Sequence, residues 1–141
     1  MGALYVPPMG FEQVWTPAFS LDTPGTSSFP TSIAAGKYWD FGNGLVMAQV
    51  ALLTSSVTLG TGSGNLRITG LPHTVLAGLR GASPDFAGIT KAGYTQFTVT
   101  PAAATTYCTI SASGSGVAAY AVQGSDVATG LRFISVFWYT K

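Results

Sequence analysis

Residues 131–140 read LRFISVFWYT. Taken two at a time, they split into one set of Leu131, Phe133, Ser135, Phe137 and Tyr139 and another of Arg132, Ile134, Val136, Trp138 and Thr140. A period of two sends successive side chains to opposite faces of an extended strand. Both sets are largely apolar, so the spacing predicts a strand covered on both sides, by a second sheet on one and by a neighbouring subunit on the other. Phe133, Phe137, Trp138 and Tyr139 are the candidate subunit-interface residues. Further runs rich in β-branched and aromatic residues predict strands at WTPAFSL (15–21), KYWDF (37–41), LVMAQVALLT (45–54), NLRITG (65–70), TQFTVT (95–100) and TYCTISAS (106–113). Between them lie DTPGTSS, FGNG, GTGSG, TPAA, SGSG and ATG, whose Gly, Pro, Ser and Thr are turn chemistry. SIAAGKY and PAAATT are too short and interrupted to hold a helix.

Many short strands at fairly even spacing predict an all-β protein, an antiparallel β-sandwich of jelly-roll-like architecture. No repeat or linker divides the chain. Residues 15–141 are expected to form a single sandwich domain, with residues 1–14 as an extended N-terminal arm. That arm, MGALYVPPMGFEQV, holds prolines and aromatics without a strand period, which suits a segment lying on a partner.

At 141 residues, a domain of this size buries roughly two thirds of its extended-chain surface. Charged residues are 8% of the chain and apolar ones 47%, where a globular chain ordinarily carries about 25% charged. With so few charges to face water, much of the surface is expected to be occupied by copies of the chain or by a larger assembly. The Lys and Arg residues are scattered singly, so nucleic acid is not an expected partner. GLVMAQVALL (44–53) contains Gln49 and falls short of the roughly 20 apolar residues of a spanning helix, so membrane insertion is not expected. The N-terminus lacks the basic region of a signal peptide and carries helix-breaking prolines, and Val6 stands where myristoylation calls for Ser or Thr.

Candidate chemistry is sparse. Cys108 is the only cysteine, so neither an intrachain disulfide nor a cysteine-based zinc site can form, and within TTYCTI it reads as a small buried apolar residue. His73 is the only histidine and follows Gly70-Leu71-Pro72, where the proline's fixed φ and missing N–H end a strand. It is expected in a loop, half exposed or bonded to a backbone carbonyl; the sharper alternative is a pH-sensitive contact at a subunit interface. No Gly-x-Ser-x-Gly elbow occurs. The acids Glu12, Asp22, Asp40, Asp85 and Asp126 show no metal-ligand spacing and sit beside turns or in the arm, where capping and solvated roles are common. GTGSGN (60–65) and AAGKY (34–38) lack the remaining positions of phosphate-binding loops. The reading is of no catalytic residue, no metal ligand and no cofactor.

Three stretches in order, WTPAFSLDTPGTSS, GKYWDFGNGLVMAQVALLTSSVTLGTGSGNLRITGLPHTV and SGSGVAAYAVQGSDVATGLRFISVFWYTK, give a Trp-Thr-Pro entry, a Gly-x-Tyr strand followed by Gly-x-Gly-Leu-Val, a Gly-Leu-Pro corner and a bulky final strand. In this order, over residues 15–141, the chain resembles the β-rich domain of tailed-bacteriophage virion surface proteins of the decoration and fibre-tip type. The resemblance implies structural roles for Trp15, Thr16 and Pro17 at the entry, for Gly36, Tyr38, Gly42 and Val46 in a hairpin, and for Gly64, Leu66, Ile68, Gly70, Leu71 and Pro72 at the corner. It further implies a trimer at the virion surface, made in the host cytoplasm, and transfers no catalytic residue.

Fibres of that kind carry a long shaft before the domain, whereas here only residues 1–14 precede Trp15. This turns the expectation toward a non-enzymatic capsid decoration or head-fibre subunit, bound to the major capsid protein or another virion protein through Tyr5, Val6, Pro7, Pro8 and Phe11. The alternative is a tail-fibre-type receptor-binding protein whose loop aromatics, such as Trp39 and Tyr94, stack on host surface glycan. A small hydrolase acting on cell-surface polymer is the third reading, and it needs a carboxylate pair drawn from residues such as Asp40 and Asp85.

Overall fold

The computed structural model describes residues 2, 10–79 and 84–141. Its strands are β1 (Gln13–Trp15), β2 (Ala18–Thr23), β3 (Thr31–Asp40), β4 (Leu45–Thr54), β5 (Ser63–Thr69), β6 (Ala77–Gly78), β7 (Asp85–Ile89), β8 (Gln96–Pro101), β9 (Tyr107–Gly114), β10 (Val117–Ala121) and β11 (Val127–Thr140). A short 3₁₀ turn, Gly124–Asp126, precedes β11. All pairings are antiparallel. The larger sheet runs β1-β3-β4-β11, with β7 and β6 sharing the far edge of β11; the smaller runs β2-β5-β9, with β8 on the other side of β9 and β10 continuing the line of β5. The result is the antiparallel sandwich that the alternation predicts. Its chain changes sheet repeatedly, as a jelly roll does, while β3–β4 and β8–β9–β10 stay within one sheet as hairpins.

The inner faces interdigitate as one apolar core. From the larger sheet come Val46, Ala48, Val50 and Leu52 of β4 and Leu131, Phe133, Phe137 and Tyr139 of β11; from the smaller come Phe19, Leu21, Leu66, Ile68, Val99 and Ile110. Burial of this apolar surface is the main driving force for the fold. The outer faces differ sharply. The smaller sheet turns hydroxyls outward in rows such as Ser20–Arg67–Thr109–Thr100, and Thr100 and Ser111 share a hydrogen bond of 3.0 Å. The larger sheet turns out Trp39–Met47–Trp138, Lys37–Gln49–Val136, Ala35–Ala51–Ile134 and Ile33–Leu53–Arg132.

One junction ties the sheets together. WTPAFSL is not the single strand its composition predicts: the chain leaves the larger sheet at Trp15, turns at Thr16-Pro17 and enters the smaller sheet at Ala18. Buried Pro17 has no N–H to give to a ladder, so pairing stops there. The Trp15 indole lies across Gly36 of β3, donating from Nε1 to the carbonyls of Lys37 and Gln49 at 3.2 Å each. Gly70 closes the same corner with a φ of +93°, its open side against the Thr16 carbonyl, while Leu71 enters the core. The three segments Trp15-Thr16-Pro17, Gly36-x-Tyr38 and Gly70-Leu71-Pro72 thus converge on one packing unit.

Other expectations shift. β3 begins at Thr31 rather than Lys37, and β6, β7 and β10 arise in stretches with no clear strand signal, because Ala and Gly there pair as edge segments beside β11 and β9. Phe133, Phe137 and Tyr139 belong to the core of a single chain and are fully buried, so they cannot meet a partner. Trp138 alone of the expected interface residues reaches the outer face, stacked on Phe41. The alternation of β11 is correct, but the bulkier set is the one the second sheet covers.

A methyl group at Gly36 would lie 2.5 Å from Trp15 Nε1. Gly36→Ala is therefore expected to cost about 1–3 kcal/mol of unfolding free energy, and less in a Trp15→Phe background. A double-mutant cycle in urea unfolding reads this coupling, about 0.5 kcal/mol or more if the indole is the obstacle.

Candidate functional site

Each of the five carboxylates is tied to its own cation. Glu12 pairs with Lys37 at 2.8 Å, Asp22 with Arg67 at 2.6 Å, Asp40 with Lys141, Asp85 with Arg132 at 2.9 Å and Asp126 with Lys91 at 3.4 Å. Several also hold backbone: Asp22 accepts from the Asn65 N–H, Asp40 from Gly42 and Asp126 from Gln123, each at 3.0 Å. These are the capping roles that the flanking turn residues suggest. Among the described residues no group of three or more His, Cys, Asp or Glu side chains is placed to hold a metal.

A shallow, open groove of about 430 Å³ lies between β7 and β8, lined by Phe86, Ile89, Lys91, Tyr94, Thr95 and Phe97 among others. Its floor is fixed by Phe86 and Phe97, edge to face with centroids 4.5 Å apart, a geometry aromatic pairs favour. At its rim stands Tyr94, whose ring lies 5.6 Å from that of Tyr120 and whose hydroxyl donates to the Ala118 carbonyl at 3.0 Å. Lys91 spans 4.2 Å to the Tyr120 ring and also reaches Asp126. Contact with Tyr120, and then with Asp126, raises the lysine's pKa, so it stays cationic well into the alkaline range. The groove therefore offers apolar ring faces next to the Lys91 ammonium group, which is the composition of a site for a ligand with both C–H faces and hydroxyls.

A second cluster surrounds the end of β11. Asp40 accepts from Lys141 and from Gly42, and Nε2 of half-buried His73 lies 3.5 Å from its Oδ2, a charged contact only when the imidazole is protonated. The Tyr38 ring meets His73 edge-on at 5.7 Å, and the Tyr38 hydroxyl donates to Gln13. His73 is thus the partly exposed loop residue its position suggests, and its Nε2 faces a carboxylate rather than a backbone carbonyl. Burial pushes the Tyr139 phenol and the Cys108 thiol up from their ordinary values, so neither is an activated nucleophile.

Tyr5, Val6, Pro7 and Pro8 lie outside the described residues; Phe11, at the foot of the arm, is 75% exposed. Trp15, Pro17, Tyr38, Gly70, Leu71 and Pro72 gather at the sheet junction and the adjoining corner. Tyr94 lines the groove, whereas Trp39 lies on the outer face of the larger sheet. Lys91, Tyr120 and Asp126 give no local sign of the groove, because they stand far apart in sequence and meet only through β10 and the 3₁₀ turn. GTGSGN forms a turn clasped by reciprocal Thr26–Thr61 hydrogen bonds, and AAGKY is mid-strand in β3, so neither is a phosphate loop.

The fold is found in a tailspike. Over 93% of its length the chain superposes, at a TM-score of 0.69 and 14% identity, on part of a solved structure titled "Crystal structure of Dettilon tailspike protein (gp208)". It spans 23% of that protein's length. No protein-family model and no curated protein matches the chain. At this identity the likeness is one of fold: a two-sheet sandwich that also occurs as one portion of a much larger phage protein.

The Asp40 contacts, Lys141 foremost, hold its carboxyl below the ordinary 3.8. A depressed folded pKa gives stability that is complete above the ordinary value and fades as pH falls through the folded one. Asp40→Asn is expected to lose up to about 1 kcal/mol at neutral pH, as half-exposed pairs do, and to match the parent once the pH lies below the folded value. Urea unfolding across a pH series from 7 downward checks both ends.

Proposed function

We propose that the chain is a surface module of a phage virion, and that its β7–β8 groove holds a saccharide of the host surface. The observation that carries this reading is the placement of the Tyr94 ring and the Lys91 ammonium group along an apolar groove floored by Phe86 and Phe97, with Tyr120 and Asp126 holding the lysine from outside the lining. A sugar ring has an apolar C–H face that packs on an aromatic ring, and a rim of hydroxyls that hydrogen-bond to charged groups. The fold shared with a tailspike supports the virion setting, as do the motifs running from Trp15 to Lys141. Between decoration and attachment, the tailspike likeness favours attachment. The pairing of every carboxylate with a cation speaks for binding rather than glycoside hydrolysis, which uses two carboxyl groups flanking one bond.

Capsid decoration through the N-terminal arm is the second reading, favoured by exposed Phe11 at the arm's foot. The number of copies per purified particle separates the two, many for decoration and few for an attachment module.

On an array of bacterial surface glycans the chain is expected to retain a defined subset. For a retained saccharide, Tyr94→Ala and Tyr120→Ala should each weaken binding by about tenfold or more in calorimetry, equivalent to about 1.4 kcal/mol. Retention of nothing, or full affinity in both variants, contradicts the groove assignment.

A further inference from the structure

We propose that the β7–β8 groove continues past the 3₁₀ turn into a second cleft, and that the two together hold a chain of linked sugars rather than a single sugar unit. The second cleft, of about 290 Å³, lies between the β4–β5 loop and the turn, lined by Leu59, Gly62, Ser63, Gly64, Gln123 and Ser125 among others. Taken alone it stands at the lower limit of ligand sites, which run from about 300 to 1,000 Å³. Joined to the groove of about 430 Å³, it lies well inside that range. The inference rests on the saccharide reading of the groove and extends it to a cleft of different chemistry.

The turn itself is the link. Gln123, Gly124 and Ser125 line the second cleft, and the next residue, Asp126, is bonded to the lining of the groove. The Asp126 carbonyl accepts the Thr90 N–H at 2.9 Å, one carboxylate oxygen pairs with Lys91 at 3.4 Å, and the other accepts the Gln123 N–H at 3.0 Å. A single buried residue therefore separates the two hollows, about 3.8 Å of backbone from Ser125. Both walls of the second cleft are fixed before a ligand arrives. A methyl group at Gly62 would lie 2.7 Å from the Pro24 carbonyl oxygen and one at Gly64 2.6 Å from the Asp22 Cβ, so these glycines pack against β2 and the turn that follows it. Buried Gly124 has its open side against Leu21 and Leu59. A preformed cleft loses little to ordering on binding. Its lining offers backbone, two serine hydroxyls and an amide, with no charged group, where the groove offers ring faces and an ammonium group. An oligosaccharide matches both halves: the C–H face of one unit lies on Tyr94, and the hydroxyls of the next units reach Ser63, Gln123 and Ser125. A lipid tail or an aromatic side chain of a peptide would use the groove and gain nothing from the polar cleft.

The test uses a polysaccharide retained on the bacterial surface-glycan array, cut by mild acid into short fragments of one or two sugars and long fragments of about five, each titrated into the full chain by calorimetry. The parent is expected to bind the long fragments about tenfold or more tightly than the short ones. In NMR only the long fragments should shift the amide signals of Gly62, Gly64 and Ser125. Ser125→Trp, at an exposed position on the cleft, should remove the gain from length and leave the short fragments at parental affinity, which also reports that the variant folds. Should it fail to fold, Ser63→Tyr on the opposite wall takes its place. Affinity that does not grow with length, a gain that survives in the cleft variants, or amide signals that stay in place overturns the extension, while short-fragment binding that Tyr94→Ala abolishes keeps the groove reading. Short-fragment binding that Tyr94→Ala leaves intact overturns the groove reading and the extension with it, as does retention of nothing on the array.

Discussion

Trp15 lying on Gly36 is the contact on which the sandwich turns. A two-sheet protein must fix how one sheet sits over the other, and side chains meeting across a core do so only collectively. Here the chain makes the passage itself within two residues, Thr16 and Pro17, and locks it twice. The indole sits against a strand position without a side chain and bonds two carbonyls of the larger sheet. Gly70, in a left-handed conformation, lets the smaller sheet's β5 come up against the Thr16 carbonyl. The entry motif and the Gly-Leu-Pro corner are thus two sides of one joint, a structural role for both.

From that joint follows the placement of everything else. With β1 and β2 fixed, β3 and β4 build one side and β5 the other, and β11 closes the larger sheet with its bulkiest side chains inward. The long return between β5 and β8 passes the Asp40–His73 cluster and leaves β7 beside β11, which opens the groove toward β8. The five ion pairs sit at turns and edges, where they tie loops to strands. In a chain with so few charges they consume every carboxylate, which leaves the surface chemistry to aromatic rings, hydroxyls and apolar patches.

How far this was legible follows from the range over which each signal acts. Strand alternation is local, so β4, β5, β8, β9 and β11 are readable from residue type, and even the faces of β11 separate correctly. Which face the second sheet covers is not local: Phe133 and Val136 look alike in sequence, and the assignment comes from the register with β4. β7 and β10 escape notice because DFAGI and VAAYA take their stability from neighbours rather than from β propensity. The groove is legible only through Tyr94. Lys91, Tyr120 and Asp126 become one cluster when the β9–β10 hairpin and the 3₁₀ turn fold back, a relation that no spacing encodes.

The central claim is that the Trp15 indole, seated on Gly36 and bonded to two carbonyls of the larger sheet, ties the two sheets together. Hydrogen exchange of the three indole N–H groups of the intact chain, followed by NMR, tests it most directly. The account predicts that the Trp15 Nε1–H exchanges far more slowly than the indoles of Trp39 and Trp138 on the outer face. Exchange at Trp15 as fast as at those two would contradict it.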